Sequence, residues 1–142
     1  MSSAPDSQPT PDEDLAVRWA ATPILVVDDE PRIRDLFALM LERRGRTVIT
    51  AASAAEALEI VRTRALILVI SDQHMPFVTG LELLETVRRE KPGLPFVLTS
   101  AVMDDEVSSR AWRAGADAVV DKSELLTELS TGPESGDYLD AA

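Results

Sequence analysis

Four short apolar runs in this chain end abruptly in groups able to hold a cation or a phosphoryl group. Ile24–Val27 runs into Asp28-Asp29-Glu30, Leu66–Ile70 into Ser71-Asp72, Phe96–Leu98 into Thr99-Ser100, and Ala118–Val120 into Asp121-Lys122. Three carboxylates gathered in a small space must share a proton or a cation. Asp28, Asp29 and Asp72 offer hard oxygen ligands, and with no cysteine and a single histidine no softer cluster competes. Such a set suits Mg2+, which takes one or two carboxylates with waters and phosphate oxygens. A metal-held carboxylate beside the Lys122 ammonium and the Ser100 hydroxyl is a receptacle for a phosphoryl group, whose transfer asks mainly for positioning and charge neutralisation. Asp72 is the best nucleophile of the set. The bland alternatives are a solvated strand-end turn at Asp28-Asp29 and a loop-capping Asp72.

These residues meet only if the runs that carry them are parallel strands. Short, wholly apolar runs bounded by polar residues suit strands buried on both faces of a parallel sheet, and open sheets of that kind bind ligands outside their carboxyl ends. Helical patterns alternate with the strands. Ile33, Leu36, Phe37, Met40 and Leu41 form an amphipathic stripe that Gly45 stops, and Thr47–Thr50 is a β-branched second strand. Ser53-Ala54-Ala55-Glu56 is a capping box opening a helix through Thr63. Leu81, Leu84, Val87 and Arg88 continue a third helix that Pro92-Gly93 ends, and Gly80 lets the backbone turn into it. A fourth helix covers 104–114 before Gly115, and a short fifth covers 124–129. Five βα units of this kind predict an α/β fold: a doubly wound five-stranded parallel sheet in a flavodoxin-like three-layer sandwich, with the order 2-1-3-4-5, one of the two common doubly wound solutions, expected.

Composition sets the bounds. The chain has 142 residues, 45% of them hydrophobic, which suits one globular domain, and the lack of cysteine excludes disulfides and cysteine nucleophiles. Residues 1–22 read as a flexible acidic tail, with a short helix over 12–20 that packs Trp19. Residues 23–129 read as the domain, and 130–142 as an acidic tail or truncated linker. The net charge of −11 disfavours direct binding to nucleic acid. No apolar stretch is long enough for a membrane span and no signal peptide is visible, so a cytoplasmic protein is expected.

Asp28-Asp29, the run Asp72-Gln73-His74-Met75-Pro76-Phe77-Val78-Thr79-Gly80, Ser100-Ala101 and Ala114-Gly115-Ala116 through Lys122 together resemble a response-regulator receiver domain of two-component signalling, of the chemotaxis-regulator type. The resemblance implies that Asp72 accepts phosphate from a sensor histidine kinase or phosphotransfer protein, the domain catalysing only its own phosphorylation and dephosphorylation. It implies that Asp28, Asp29, Asp72 and the backbone carbonyl of His74 hold Mg2+, and that Ser100 and Lys122 engage the phosphoryl oxygens. A downstream partner, or a second copy, would read the state through the 104–129 face.

Two positions depart from the family pattern. Val119 stands where an aromatic residue usually lies three positions before the lysine, and Ser123 where a proline, often cis, usually follows it. A cis bond before a non-proline costs about 2.5–4 kcal/mol, so a trans bond and a changed loop beside Lys122 are expected. Trp112 is expected at the edge of the fourth helix, either filling space left by Val119 or anchoring a partner. The departures leave room for a phosphate-independent pseudo-receiver acting as an interaction module. A small aspartyl-phosphate hydrolase is disfavoured because His74 stands where its acid/base aspartate belongs, and a flavodoxin-like cofactor binder because Asp28-Asp29-Glu30 would repel a cofactor phosphate.

Overall fold

In the computed structural model, which describes residues 21–102 and 104–131, strands and helices alternate along the described chain. They are β1 (Ile24–Val27), α1 (Pro31–Arg43), β2 (Val48–Ala51), α2 (Ala54–Thr63), β3 (Leu68–Asp72), α3 (Gly80–Glu90), β4 (Phe96–Ser100), α4 (Asp105–Ala114), β5 (Ala118–Asp121) and α5 (Lys122–Ser130). The strands form one parallel sheet in the order β2-β1-β3-β4-β5, the doubly wound sandwich expected. The expectations for residues 1–20 and 132–142 lie outside the described residues.

Strand residues alternate between the two faces, as the pleat requires. Leu25, Val27, Val69, Phe96 and Leu98 pack with Ala57 and Val61 of α2, Leu84 and Val87 of α3 and Ala111 of α4. Ile24, Val26, Leu68, Ile70 and Val97 pack with Phe37 and Leu41 of α1 and Leu125 and Leu129 of α5. β1, β3 and β4 are buried along their whole length, whereas β2 at the edge is mostly half-buried.

Several boundaries differ from the sequence expectation. β3 begins at Leu68 rather than Leu66 and keeps Ser71 and Asp72 inside the ladder, because β4 extends beside it to pair Asp72 with Thr99. β2 runs one residue later than expected. In α2 the box is offset: Ser53 Oγ accepts from the Glu56 N–H, but Glu56 Oε1 accepts from Ala52. The complete capping box lies at α3, where Thr79 and Glu82 cap each other reciprocally, a T-x-x-E signature that the apolar pattern overshadowed. α5 starts at Lys122, two residues early, because Asp121 Oδ1 accepts from both the Ser123 hydroxyl and the Glu124 N–H and closes the first turn. There is no loop beside Lys122, and no cis peptide occurs among the described residues.

Gly80 serves packing rather than conformational freedom. Its φ is not left-handed; the positive φ of this loop belongs to Phe77. A Cβ at Gly80 would collide with the carbonyl oxygen of Asp72 and come within 2.7 Å of Leu98 Cδ1. The glycine N–H also bonds the Gln73 carbonyl at 3.1 Å. Gly80→Ala should therefore cost about 1–3 kcal/mol, the usual cost of overpacking. A fall in the urea midpoint at unchanged slope is the expected readout.

Candidate functional site

The parallel register fixes the site. Val27 pairs with Ser71 across β1 and β3, so Asp28, the next residue, leaves the sheet beside Asp72, the last residue of β3. Asp28 is pinned by its own turn: its Oδ1 accepts from the Glu30 N–H at 3.0 Å, and its carbonyl accepts from Arg34 Nη1 at 2.9 Å. Lys122, at the first position of α5, reaches across from the far side of the sheet. Its Nζ lies 3.0 Å from Asp28 Oδ2 and 3.2 Å from Asp72 Oδ2.

Asp28 and Asp72 are buried at 1% and 4% exposure, whereas Asp29 is exposed. One oxygen from each of the three carboxylates lies within 4.8 Å of the others. Asp72 Oδ1 is buried without a hydrogen-bond partner. A buried carboxylate oxygen with nothing to accept from is costly, and three clustered acids against one ammonium leave a negative surplus. An all-oxygen set with an orphaned buried acceptor fits a hard divalent cation of the Mg2+ kind.

The electrostatics point the same way. Burial is the largest influence on Asp72 and raises its pKa above the usual carboxylate value; the Asp28 charge adds to the rise, and the Lys122 ammonium opposes it without cancelling it. For Lys122, burial alone would lower the pKa, but its hydrogen bond to Asp28 and the charges of Asp72 and Asp28 outweigh burial and raise it. The ammonium therefore stays charged.

Ser100 reaches the same rim in a different state. Thr99 lies inside the ladder, its Oγ1 directed to the Ser71 carbonyl, while Ser100 stands one residue further out. The Ser100 hydroxyl donates to the Val102 carbonyl at 2.6 Å and accepts from the Val102 N–H at 3.2 Å, so it is turned onto its own loop. His74 projects an exposed side chain two residues past Asp72. A cavity of about 40 Å³ lies beside Ser100, lined by Gln73, His74, Val102, Val107 and Val119 among others. Trp112 does not fill it: the side chain is 54% exposed on α4, because its position lies off the stripe that buries Ala111.

Two positioning residues escaped the sequence reading. Gln73 is buried; its Oε1 accepts from the Leu81 N–H at 2.8 Å, and its backbone bonds Thr99 and Gly80, which closes the loop after Asp72 into a ring. Arg34 holds the Asp28 backbone. The one signal for Gln73 was a polar side chain in the position after the last strand residue, which is weak on its own.

Residues 24–131 match the family model for the response regulator receiver domain. The probable transcriptional regulatory protein TcrX of Mycobacterium tuberculosis is 32% identical over 108 residues, covering 75% of this chain and 45% of TcrX. The chain also spans 18% of the Escherichia coli transcriptional regulatory protein GlrR, so both relatives are much longer than the shared part. A CheY-like receiver domain protein from Methanospirillum hungatei superposes with a TM-score of 0.72 at 30% identity, covering 85% of this chain and 95% of that one. The response regulator TrrA of Thermotoga maritima, solved in complex with Mg(2+)-BeF, gives 0.66 at 34% identity and covers 76% and 98%.

The raised pKa of Asp72 has a defined consequence for stability. A carboxyl that binds its proton more tightly when folded destabilises the fold as pH rises from the ordinary carboxylate range through the raised value. In metal-free buffer, Asp72→Asn should melt higher than the unsubstituted protein at neutral pH. That advantage should shrink as the pH is lowered through the same window. Thermal unfolding of both proteins along a pH series reads the difference, and an advantage that grows on acidification would contradict the charge assignment.

Proposed function

This chain belongs to the response regulator receiver domain family, and we propose on that basis that Asp72 accepts a phosphoryl group from a phosphohistidine of a sensor histidine kinase or phosphotransfer protein. The observation that carries this reading is the buried Asp72 carboxylate at the end of the central strand. The Lys122 ammonium holds it at 3.2 Å, and its second oxygen is free to accept. In the transfer an Asp72 oxygen forms a bond to phosphorus as the phosphorus–nitrogen bond of the donor breaks. The electron pair stays on the imidazole nitrogen. Lys122, already charged and in contact with Asp72, is placed to neutralise the incoming phosphoryl oxygens.

Asp28, Asp29, Asp72 and the His74 backbone carbonyl are the residues that would hold Mg2+, which when bound offsets the negative surplus of the acids and of the phosphoryl group. The Ser100 hydroxyl must leave the Val102 backbone to reach the same oxygens, so occupancy of Asp72 competes with the bonds that hold the β4–α4 loop. That competition makes the domain a two-state switch rather than an enzyme with an external product. The reader of the switch is a downstream protein or a second copy docking on the 104–129 face, where Trp112 stands exposed.

Incubation with acetyl phosphate or phosphoramidate and Mg2+ should add one phosphoryl group by intact mass, and Asp72→Asn should abolish it. Labelling that survives the substitution would refute the assignment. A folded wild-type protein that stays unlabelled would favour the phosphate-independent interaction module. On the reading face, Trp112→Ala should weaken self-association or partner binding of the phosphorylated protein, seen by sedimentation, while its melting temperature stays unchanged.

A further inference from the structure

Phe77 is the least economical residue of the rim. It has a φ of +71°, is fully exposed, and lies five positions past Asp72 in the loop before α3. Around it the Val78 N–H bonds the Pro76 carbonyl at 2.8 Å, which closes a three-residue turn in the rare strained sense. A bulky side chain at positive φ is a genuine outlier, and Phe77 recovers nothing from burial. Val78 beside it is 37% exposed, and Val102 in the loop after the adjacent strand is 71% exposed. The two loops meet around the cavity that His74 and Val102 share. The edge over Asp72 therefore carries three outward apolar side chains from two neighbouring loops.

The charges around that edge say what the apolar groups are for. Asp28, Asp29, Glu30, Asp104, Asp105 and Glu106 all lie at the carboxyl end of the sheet. These acids outnumber Arg32, Arg34 and Lys122 at the same end, so beyond the Mg2+ site itself electrostatics offer an anionic phosphohistidine little attraction. Asp72 is only 4% exposed, and a phosphoryl group on a protein can reach it only if the donor's surface settles over the surrounding loops. Attraction must then come from apolar burial, and exposed aromatics are the side chains that supply it at protein interfaces. We infer that Phe77, with Val78 and Val102, is the docking anchor for the protein phosphodonor of this chain, and that it sets donor recognition without taking part in the transfer chemistry. The inference rests on Asp72 being the phosphoacceptor.

A panel of purified sensor kinases, autophosphorylated with labelled ATP, identifies the fastest donor to the wild-type chain. Phe77→Gly should lower the second-order transfer rate from that kinase tenfold or more, mainly through KM. Its rate of labelling by acetyl phosphate should stay at the wild-type level. Its melting temperature should hold or rise, since glycine accepts the positive φ. Phe77→Leu, which keeps an apolar side chain on the same strained backbone, should retain transfer within a few-fold. Unchanged kinase transfer in Phe77→Gly would give the aromatic to another occupant and overturn the inference. A parallel loss with acetyl phosphate would also overturn it, by showing that Phe77 acts on the site itself. If acetyl phosphate labels the wild type but no kinase does, the docking inference fails alone; if neither does, the phosphoacceptor reading fails with it.

Discussion

One ammonium stands against three carboxylates at the carboxyl edge of the sheet, and that imbalance governs the rest of the molecule. Two like charges within 4.8 Å repel by about 3.5 kcal/mol or more even at an effective dielectric near 20. Asp28 and Asp72 are both buried, so water does little to relieve them. Lys122 sits 3.0 and 3.2 Å from the two and offsets part of the repulsion, yet Asp72 still holds its proton more tightly than a free carboxyl. A site left short of positive charge, with one buried oxygen unpartnered, is built to receive more cation than the chain itself supplies. An apolar core does not demand such an arrangement, and its persistence in a well-packed sheet is the mark of function.

The scaffold answers that strain with backbone bonds rather than with further charges. The β1–β3 register sets Asp28 beside Asp72, and Arg34 and the Glu30 N–H hold the turn that follows β1. Gln73 and Gly80 close the loop after β3 from inside. On the far edge Asp121 and Ser123 start α5 so that Lys122 stands in its first turn. Further from the site, Arg88 of α3 bonds the Gly115 and Leu94 carbonyls and Asp117, whose Oδ2 also accepts from the Phe96 N–H. That cluster ties α3 to the chain entering β4 and β5, so the strand that bears Ser100 and the one that leads into Lys122 share one frame with α3.

How much of this was legible in the sequence follows from how local each signal is. All-apolar runs announce buried parallel strands because the signal lies in consecutive residues, whereas the number of βα units gives a doubly wound sheet and leaves its order between the common solutions. Asp28, Asp72, Ser100 and Lys122 stood out because each broke such a run. Strand ends were less legible: Ser71 and Asp72 stay in β3 because β4 continues beside them, and no side chain reports its neighbour's length. Gln73 was missed because its role depends on Leu81, eight residues away, presenting an N–H. Phe77 was missed as a strained residue because no pattern of residue types marks a positive φ at phenylalanine. Gly80 was read as a turn residue when its requirement is the absence of a Cβ against the Asp72 carbonyl, a tertiary contact.

The same geometry constrains how a change at Asp72 can leave the site. Val119 puts no ring beside Ser100, and the space there is a small cavity rather than a packed side chain. A hydroxyl that moves toward Asp72 therefore has no aromatic partner to displace. It does have the Val102 backbone, which it releases. Two residues beyond Val102, Asp104 caps α4 by accepting from the Glu106 and Val107 N–H groups, and both Asp104 and Val107 line the same cavity. Interiors transmit displacement through packed neighbours, and here Ser100 shares its cavity with Asp104 and Val107 at the first turn of α4. With a valine at position 119, the β4–α4 loop and the first turn of α4 are the elements nearest to any movement of the Ser100 hydroxyl.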